Sequence, residues 1–406
     1  MAEHRPEVQK NLKNAIVLAS FPFGILTFAL PVYTQRIGGD ALALGGLFSV
    51  FSLLAAVLRP LVGKGVDRRG AKGFLAAALL CYAASMLLFS FSRTVPLLYV
   101  SRLVQAVGAS LMWTPAYTLM AESAAEPERG KALGRVDAAA SRGAMYGADA
   151  GFAVLLLTPL LPGWSILFKA YAALALAAAA VVLFRIPNAA PKPEAPAGGG
   201  AKTPFKPDFV KLLGVVFLSA SSSSMLSPIL LVYLQDRFTK DVGLLALAFI
   251  PSALISAFLP SRLGGIGDRF GRLKPMVLGL TASAAASFGI VGCRSLVPLA
   301  VLWAVEALGA AAASPAETSL VADLAGENVR GSAYGLYLFT AGIGAAAGPL
   351  LGGFLYDSAG HAVPFILNGA LLLLDALLAA AFWKGRGQSP AKPVSARRSA
   401  RSEKEV

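Results

Sequence analysis

The chain consists largely of apolar runs of about 20 residues, and that length is what a helix needs to cross the hydrocarbon core of a bilayer. Hydrophobic residues make up 56% of the 406 residues and charged residues only 14%, against roughly 25% charged in soluble domains. So few charges cannot cover the surface of a water-soluble globule. The runs do not alternate in polarity, which excludes a transmembrane β-barrel. The sequence therefore predicts a helical integral membrane protein.

The apolar runs predict twelve transmembrane helices, and thus an all-α integral membrane fold. The predicted spans are 14–36, 41–62, 73–92, 97–122, 132–157, 164–185, 209–235, 242–263, 275–293, 296–321, 332–356 and 363–383.

Positive charge is divided unequally between the two sets of connections. Most of the 36 Lys and Arg residues lie on the side that carries both termini, and the opposite connections hold only Arg36, Arg93, Arg237, Lys240 and Arg294. Because Lys and Arg accumulate in cytoplasmic loops, we expect a multi-pass protein of the cell inner (plasma) membrane with both termini cytoplasmic. The charge thus reports orientation, and no nucleic-acid partner is predicted.

One segment divides the spans into two groups of six. Residues 187–208 are rich in Pro, Ala, Gly and Lys, as in an extended or flexible cytoplasmic linker. This predicts an N-terminal six-helix bundle over 1–186 and a C-terminal one over 209–384. Residues 385–406 form a basic cytoplasmic tail, which can rest on anionic membrane lipid.

The two halves repeat each other at a constant spacing of 201 residues. The repeated pairs include Gly63 and Gly264, Asp67 and Asp268, Arg68 and Arg269, Gly70 and Gly271, Gly108 and Gly309, Glu122 and Asp323, and Arg129 and Arg330. Since each half contains six spans, the two bundles have the same orientation and are related by an axis along the membrane normal. A glycine at Gly63 lets helix backbones approach, and one at Gly70 suits a turn with positive φ.

Several of these residues resemble the signatures of a known family. The run Gly63-Lys-Gly-Val-Asp67-Arg68-Arg69-Gly70 and its copy from Gly264 to Arg272 look like the loop between helices 2 and 3 of the major facilitator superfamily. Arg102-Leu-Val-Gln105-Ala-Val-Gly108 resembles the helix-4 motif of its proton-coupled drug exporters. The resemblance implies a secondary active transporter that works by alternating access. It implies a gate formed by Gly63, Asp67, Arg68, Gly70, Glu122 and Arg129 with Gly264, Asp268, Arg269, Gly271, Asp323 and Arg330.

Charged residues inside the spans are further candidates, because such residues are costly in lipid and usually face a cavity or a partner. They are Arg102 in the fourth span, Asp137, Arg142 and Asp149 in the fifth, and Glu306 in the tenth. Arg142 and Asp149 are seven residues apart and share a helix face, either as a fixed ion pair or as a site where a proton competes with a cationic cargo. Glu306 has no basic neighbour on its helix, which indicates a proton carrier or a hydrogen bond to a neighbouring helix.

Other polar and aromatic residues in the spans have weaker signals. We expect Asp375 to face a neighbouring helix and Glu317 to be a gate or solvated residue. The serines between Ser219 and Ser224 could line a cavity, cap an unwound segment or allow close packing. Aromatic residues expected in a substrate cavity are Phe23, Trp113, Tyr117, Tyr146, Trp303, Tyr337 and Phe339.

Together these features predict proton-coupled export of hydrophobic or cationic small molecules. The alternatives are a carrier for a sugar, metabolite or lipid-like substrate and, from another class, a membrane-embedded enzyme or sensor. The chain has no Walker-type phosphate loop and no Cys/His cluster with metal-ligand spacing, so neither a cofactor, a metal nor an enzyme is predicted. The expected partners are a small-molecule substrate, protons and membrane lipid, bound by a monomer.

Overall fold

The computed structural model of the chain describes residues 5–123, 129–187, 207–239, 242–259, 273–324 and 330–383. Within these residues all regular secondary structure is helical. The helices are α1 (Arg5–Arg36), α2 (Ala41–Arg69), α3 (Ala71–Phe91), α4 (Val95–Ser123), α5 (Arg129–Leu157), α6 (Leu160–Arg185), α7 (Pro207–Met225), α8 (Leu230–Arg237), α9 (Val242–Phe258), α10 (Leu273–Gly292), α11 (Leu296–Leu324), α12 (Arg330–Ser358) and α13 (Val363–Trp383).

Ten helical stretches of the described chain are long and apolar enough to cross a membrane, and one of them, Pro207–Arg237, comprises α7 and α8. The two remaining predicted spans, 132–157 and 242–263, correspond to α5 and α9. Charged residues lower the hydropathy of α5, and the described part of α9 is only 17 residues long. α5 therefore differs from the ten stretches in hydropathy, and α9 differs from them in length.

Several helices extend beyond the apolar runs that predicted them. α1 begins at Arg5 and α2 continues to Arg69. An apolar run marks the lipid, whereas a helix ends where its backbone hydrogen bonds end. For α2 this happens at Gly70, whose φ is 82° and whose N–H donates to the Val66 carbonyl at 2.9 Å. The positive φ predicted for Gly70 is confirmed.

The seventh predicted span is interrupted at residues 226–229, between α7 and α8. Pro228 lies in this gap. Proline lacks a backbone N–H and its ring clashes with the carbonyl four residues earlier, so it breaks the helix. Helical bonding resumes where the Leu230 N–H donates to the Leu226 carbonyl at 2.8 Å. The serines of α7 therefore end just before the break.

The chain divides into two compact units. The first comprises Met1–Thr203, Ser224–Val232 and Ala345–His361, and the second comprises Pro204–Ser223, Tyr233–Gly344 and Ala362–Val406. In the first unit, α1 packs against α5 and α6, and α3 packs against α4 and α6. In the second unit, α10 packs against α11 and α13, and α9 packs against α11. The predicted bundle boundaries and the linker stay predictions.

An equivalent close contact between helices occurs in each half. A Cβ added to Gly108 would stand 3.2 Å from the Ala78 carbonyl oxygen, and one added to Gly309 would overlap the Gly279 carbonyl oxygen. Gly309 follows Gly108, and Gly279 follows Ala78, by the same 201 residues as the sequence repeat. Small residues allow such approach of backbones. The repeat is therefore visible in the packing of α3 on α4 and of α10 on α11.

α5 is held in the first unit by contact with the backbone of α1. A Cβ on Gly143 or Gly147 would overlap the carbonyl oxygens of Val17 and Phe21 on α1. From α6, the Tyr171 hydroxyl donates to the Gly147 carbonyl at 2.6 Å. Glycine is thus required at these two positions for α5 to pack as it does.

Candidate functional site

A line of polar side chains runs through the second unit along α7, α11 and α13. We call it the polar seam. It comprises Ser219 and Ser222 on α7, Glu306 and Glu317 on α11, and Asn368 and Asp375 on α13. The two residues on each helix are three, eleven or seven positions apart, and all three spacings place them on one helix face. Each of the three helices therefore carries both of its seam residues on one face.

Asn368 joins four helices through its side-chain amide. Its Nδ2 donates to Ser287 Oγ on α10 at 3.0 Å, and its Oδ1 accepts from Ser222 Oγ on α7. It also forms a side-chain hydrogen bond with Glu306 on α11. Ser287 in turn donates to the Phe365 carbonyl at 2.9 Å. Because both ends of the amide are engaged, the orientation of Asn368 is fixed.

The carboxyl group of Glu306 is only partly satisfied. Its Oε2 atom is buried and has no hydrogen-bond partner among the described residues. Ser283 Oγ on the neighbouring helix α10 donates to the backbone carbonyl of Glu306 at 3.1 Å, and not to its carboxyl group. A charged carboxylate in such a place is costly unless it is paired, solvated or protonated. The hydrogen bond to a neighbouring helix is thus present, together with an unsatisfied carboxyl oxygen.

A second carboxyl site lies further along the seam. Asp375 is completely buried. Its Oδ2 accepts from Ser219 Oγ at 2.7 Å, and its Oδ1 has no partner in the part of the chain that the structure describes. Glu317 acts on Asp375 electrostatically and forms side-chain hydrogen bonds with Ser219 and Tyr337. Two carboxyl groups therefore meet at one serine hydroxyl. Asp375 does face a neighbouring helix. Glu317 is hydrogen-bonded, and its role as a gate stays a prediction.

The serines of α7 form hydrogen bonds between helices, a role that the sequence did not predict. Ser219 and Ser222 bond to groups on α13, whereas Ser223 Oγ bonds back to the Ser219 carbonyl of its own helix at 2.7 Å. A signal for this contact was present in the sequence. Asn368 and Asp375 are two polar residues seven positions apart in an apolar helix, and so they share a face.

In the first unit, Arg102 is buried on α4. Its Nη1 donates to Gln105 Oε1 at 2.8 Å, and its guanidinium lies 4.6 Å from the ring centroid of Phe48 and 4.9 Å from that of Phe51. Its Nε is buried and has no described partner. An amide and two aromatic faces therefore compensate the positive charge, rather than any carboxylate within the described helices.

The acid and the base on α5 do not pair in this structure. Arg142 and Asp149 are both exposed, and Arg142 Nε donates to the Ala138 carbonyl of its own helix at 3.0 Å. The fixed ion pair that the sequence left open is therefore not formed. A charge within a membrane helix is stabilised by water or by a ligand far better than by lipid. The third predicted residue of α5, Asp137, has its side chain outside the described residues.

Three of the predicted cavity aromatics lie together in the first unit. The ring centroid of Phe23 is 6.2 Å from that of Trp113, which is 6.1 Å from that of Tyr117. Phe23 also contacts the buried Tyr82, at 5.5 Å between centroids. Tyr146 is exposed on α5. The first three residues thus form one aromatic surface contributed by α1 and α4.

The remaining predicted aromatics lie in the second unit and do not form one surface. Trp303 packs edge to face on Phe249 with 5.9 Å between centroids. Tyr337 is bonded to Glu317 in the polar seam. Phe339 is exposed on α12.

Only part of the predicted gate can be described. Arg68 and Glu122 are exposed at the ends of α2 and α4. No described residue lies within 4 Å of where a Gly63 Cβ would stand, and the close helix approach at Gly63 stays a prediction. The following gate residues lie outside the described residues, either entirely or in their side chains: Asp67, Arg129, Gly264, Asp268, Arg269, Gly271, Asp323 and Arg330.

The chain is similar in sequence to known membrane transporters. It is 26% identical over 359 residues to Multidrug resistance protein 1 of Bacillus subtilis (strain 168), an alignment that covers 86% of this chain and 91% of that protein. It is 25% identical over 346 residues to the chromaffin granule amine transporter of Rattus norvegicus, covering 82% of this chain and 64% of that protein.

The fold is similar to that of a solved transporter, and the sequence matches a family model. A bacterial homolog of the human lysosomal transporter Spinster, in an inward-facing and unoccupied conformation, matches with a TM-score of 0.79 and 16% identity over 96% of this chain and 99% of that chain. The model of the Major Facilitator Superfamily matches twice, at residues 14–215 and 212–405. The predicted all-α fold is confirmed, and the chain belongs to the Major Facilitator Superfamily as a multi-pass membrane transporter, not an enzyme.

Proposed function

We propose that this transporter exports hydrophobic and cationic small molecules in exchange for protons, by alternating access. The observation that carries the proposal is the carboxyl group of Glu306, whose Oε2 is buried without a hydrogen-bond partner among the described residues. Binding and release of one proton is the simplest way to remove and restore the cost of that charge. Asn368 holds the carboxyl in place, so the proton site is preorganised.

The proposed substrate class rests on the first unit and on the relatives. Phe23, Trp113 and Tyr117 form an aromatic surface of the kind that binds hydrophobic and cationic compounds. Asp149 supplies an exposed negative charge on α5. Two of the similar proteins are named for multidrug resistance and for amine transport, which fits such compounds.

We further propose a monomer in the cell inner membrane with both termini cytoplasmic, as the distribution of Lys and Arg predicts. Bundles over 1–186 and 209–384 would be joined by the linker 187–208, and the basic tail would lie near anionic lipid. The inner gate would involve Asp67 and Asp268, which are placed identically in the two repeats. Arg102, Asp137 and Arg142 would act with Asp149 and Glu306 in coupling.

Dye flux in proteoliposomes under an imposed pH gradient tests the proposal. We expect the gradient to drive a cationic dye, and E306Q to lose this dependence while it still binds the dye. D236N makes the same carboxylate-to-amide change at an exposed position of α8 and should behave as the parent. Gradient-independent dye flux in the parent protein would refute proton coupling. Failure of dyes to bind at all would favour the sugar, metabolite or lipid-like alternative.

A further inference from the structure

The inference concerns the second carboxyl site of the polar seam, and it rests on the proposed proton coupling. A serine hydroxyl carries a single hydrogen and can donate only one hydrogen bond. Ser219 Oγ donates to Asp375 Oδ2 at 2.7 Å, and the same side chain is hydrogen-bonded to Glu317. The one hydrogen of Ser219 can therefore serve only one of the two carboxyl groups at a time. Both hydrogen bonds form together only when one of the two acids is protonated and donates to the Ser219 oxygen.

Within the part of the chain that the structure describes, no Lys or Arg acts on either carboxyl group of this site. Tyr337 of α12 is hydrogen-bonded to Glu317, and Ser219 of α7 donates to Asp375. Lys274 of α10 is exposed, and Lys211 of α7 is bonded to Asp208 at 3.5 Å. Two ionised carboxylates here would repel each other without a counter-charge from the described residues. One proton held between the two acids removes that repulsion.

We propose that Glu317, Ser219 and Asp375 form a second proton-binding site, which holds one proton and passes it between the two carboxyl groups through the serine hydroxyl. The unpartnered Oδ1 of the fully buried Asp375 is the second observation that indicates a ligand at this site. The site lies on the same face of α11 as Glu306, eleven residues further on, which is about 16 Å along the helix axis. It therefore extends the path of the proton beyond Glu306.

The transfer conserves protons and charge. The O–H bond of Glu317 breaks as a new Oγ–H bond forms on Ser219, while the original Oγ–H bond of Ser219 breaks and an O–H bond forms on Asp375 Oδ2. Glu317 is then the carboxylate, stabilised by the Tyr337 hydroxyl, and Ser219 donates to it. The proton enters from water and returns to water, so no other reactant is needed.

Infrared spectroscopy on the full-length purified protein tests the site directly. A protonated carboxyl gives a C=O stretching band that a carboxylate lacks. We expect such a band to persist at neutral pH in the parent protein, and to be lost or shifted in D375N and in E317Q. S219A should shift it while both acids remain, and S219T, which restores a hydroxyl, should return it. S223A is the matched control, because Ser223 bonds to its own helix. Unchanged spectra in D375N, E317Q and S219A would overturn the proposal.

Flux in proteoliposomes tests the role of the site in transport. Linkage between two ligands is commonly worth 5- to 150-fold, so we expect S219A to lose about tenfold of its pH-driven dye flux. S219T and S223A should keep theirs, and exchange of dye without a gradient should continue in all variants. If flux in the parent protein does not depend on the pH gradient, the proposed function is refuted. The infrared bands still test whether the proton-binding site exists. Gradient-driven flux that is equal in S219A and the parent refutes this inference alone.

Discussion

Asp357 reaches from α12 to the first turn of α2, where its Oδ2 accepts from the Leu42 backbone N–H at 2.7 Å across a sequence separation of 315 residues. Asp40, the N-cap of α2, accepts from the Ala43 N–H at 2.7 Å. The first N–H groups of a helix have no partner within the helix and lie at the positive end of its dipole. Two carboxylates therefore satisfy this helix start, and one of them comes from a distant part of the chain.

Removing the Asp357 carboxylate should loosen the first turn of α2. Exposed contacts of this kind are worth about 1 kcal/mol, so in D357A the Leu42 amide should exchange its hydrogen about fivefold faster. Hydrogen exchange with mass spectrometry over residues 40–46 measures this. S358A is the control, since the Ser358 hydroxyl bonds to the Phe354 carbonyl of its own helix. Equal exchange in D357A and the parent would mean that the bond does not stabilise the turn.

The negative charge of Asp149 should select for cationic ligands. A charge pair near a protein surface is worth 1 to 4 kcal/mol at 4 Å, so D149N should weaken a cationic ligand about tenfold. A neutral ligand of similar size should bind as before, because it loses no charge pair. D149E, which keeps the charge, should keep the preference. Equal losses for both ligands, measured as Kd by fluorescence titration, would remove Asp149 from cation recognition.

Replacing Asn368 should lower the thermal stability of the second unit. N368A leaves Ser222, Ser287 and Glu306 without their shared partner, and each unsatisfied buried polar group costs about 1 to 3 kcal/mol. We expect a fall in Tm of several degrees. N368D keeps the acceptor for Ser222 but places a second carboxyl beside Glu306, so its Tm should rise as the pH is lowered. A Tm of N368A equal to that of the parent would mean that the bonds are not needed for stability.

Gly147 should tolerate no larger residue. In G147A the added methyl group meets the Phe21 carbonyl, and overpacking of this kind costs about 1 to 3 kcal/mol. The variant should therefore lose Tm and yield. G214A is the matched control, because no described residue lies within 4 Å of the Cβ that it adds to α7. If G147A and G214A had the same Tm, α1 would not approach α5 as closely as described.

The positions of the helices could largely be predicted from the sequence, because each helix is determined by the residues within its own segment. An apolar run reports burial in lipid wherever it occurs, and Gly70 needs its positive φ for reasons confined to its own turn. The repeat could be found as well, since it compares the chain with itself. It predicts the equivalence of Gly108 and Gly309, which the packing of the two units confirms.

The polar seam could not be predicted in the same way. Ser222 and Asn368 are 146 residues apart, and periodicity shows which face of a helix is polar but not which other helix meets it. The hydrogen bond of Glu317 could not be predicted for this reason, because its partner Ser219 lies on another helix. The fixed ion pair on α5, one of two alternatives for Arg142 and Asp149, is absent for a different reason. A shared face brings Arg142 near Asp149, but the flexible arginine bonds to its own backbone instead.

The glycine contacts between α1 and α5 have a consequence for biogenesis. A charged residue near the centre of a helix opposes its release from the translocon into lipid, by about 2.5 to 3.5 kcal/mol each on insertion scales. With Arg142 and Asp149 in its length, α5 enters the membrane alone less readily than an uncharged helix of the same length. Its glycines match the backbone of α1, which is synthesised first and is already in place. During membrane insertion α1 thus offers α5 a protein surface to pack against, which compensates for the unfavourable transfer of its charges into lipid.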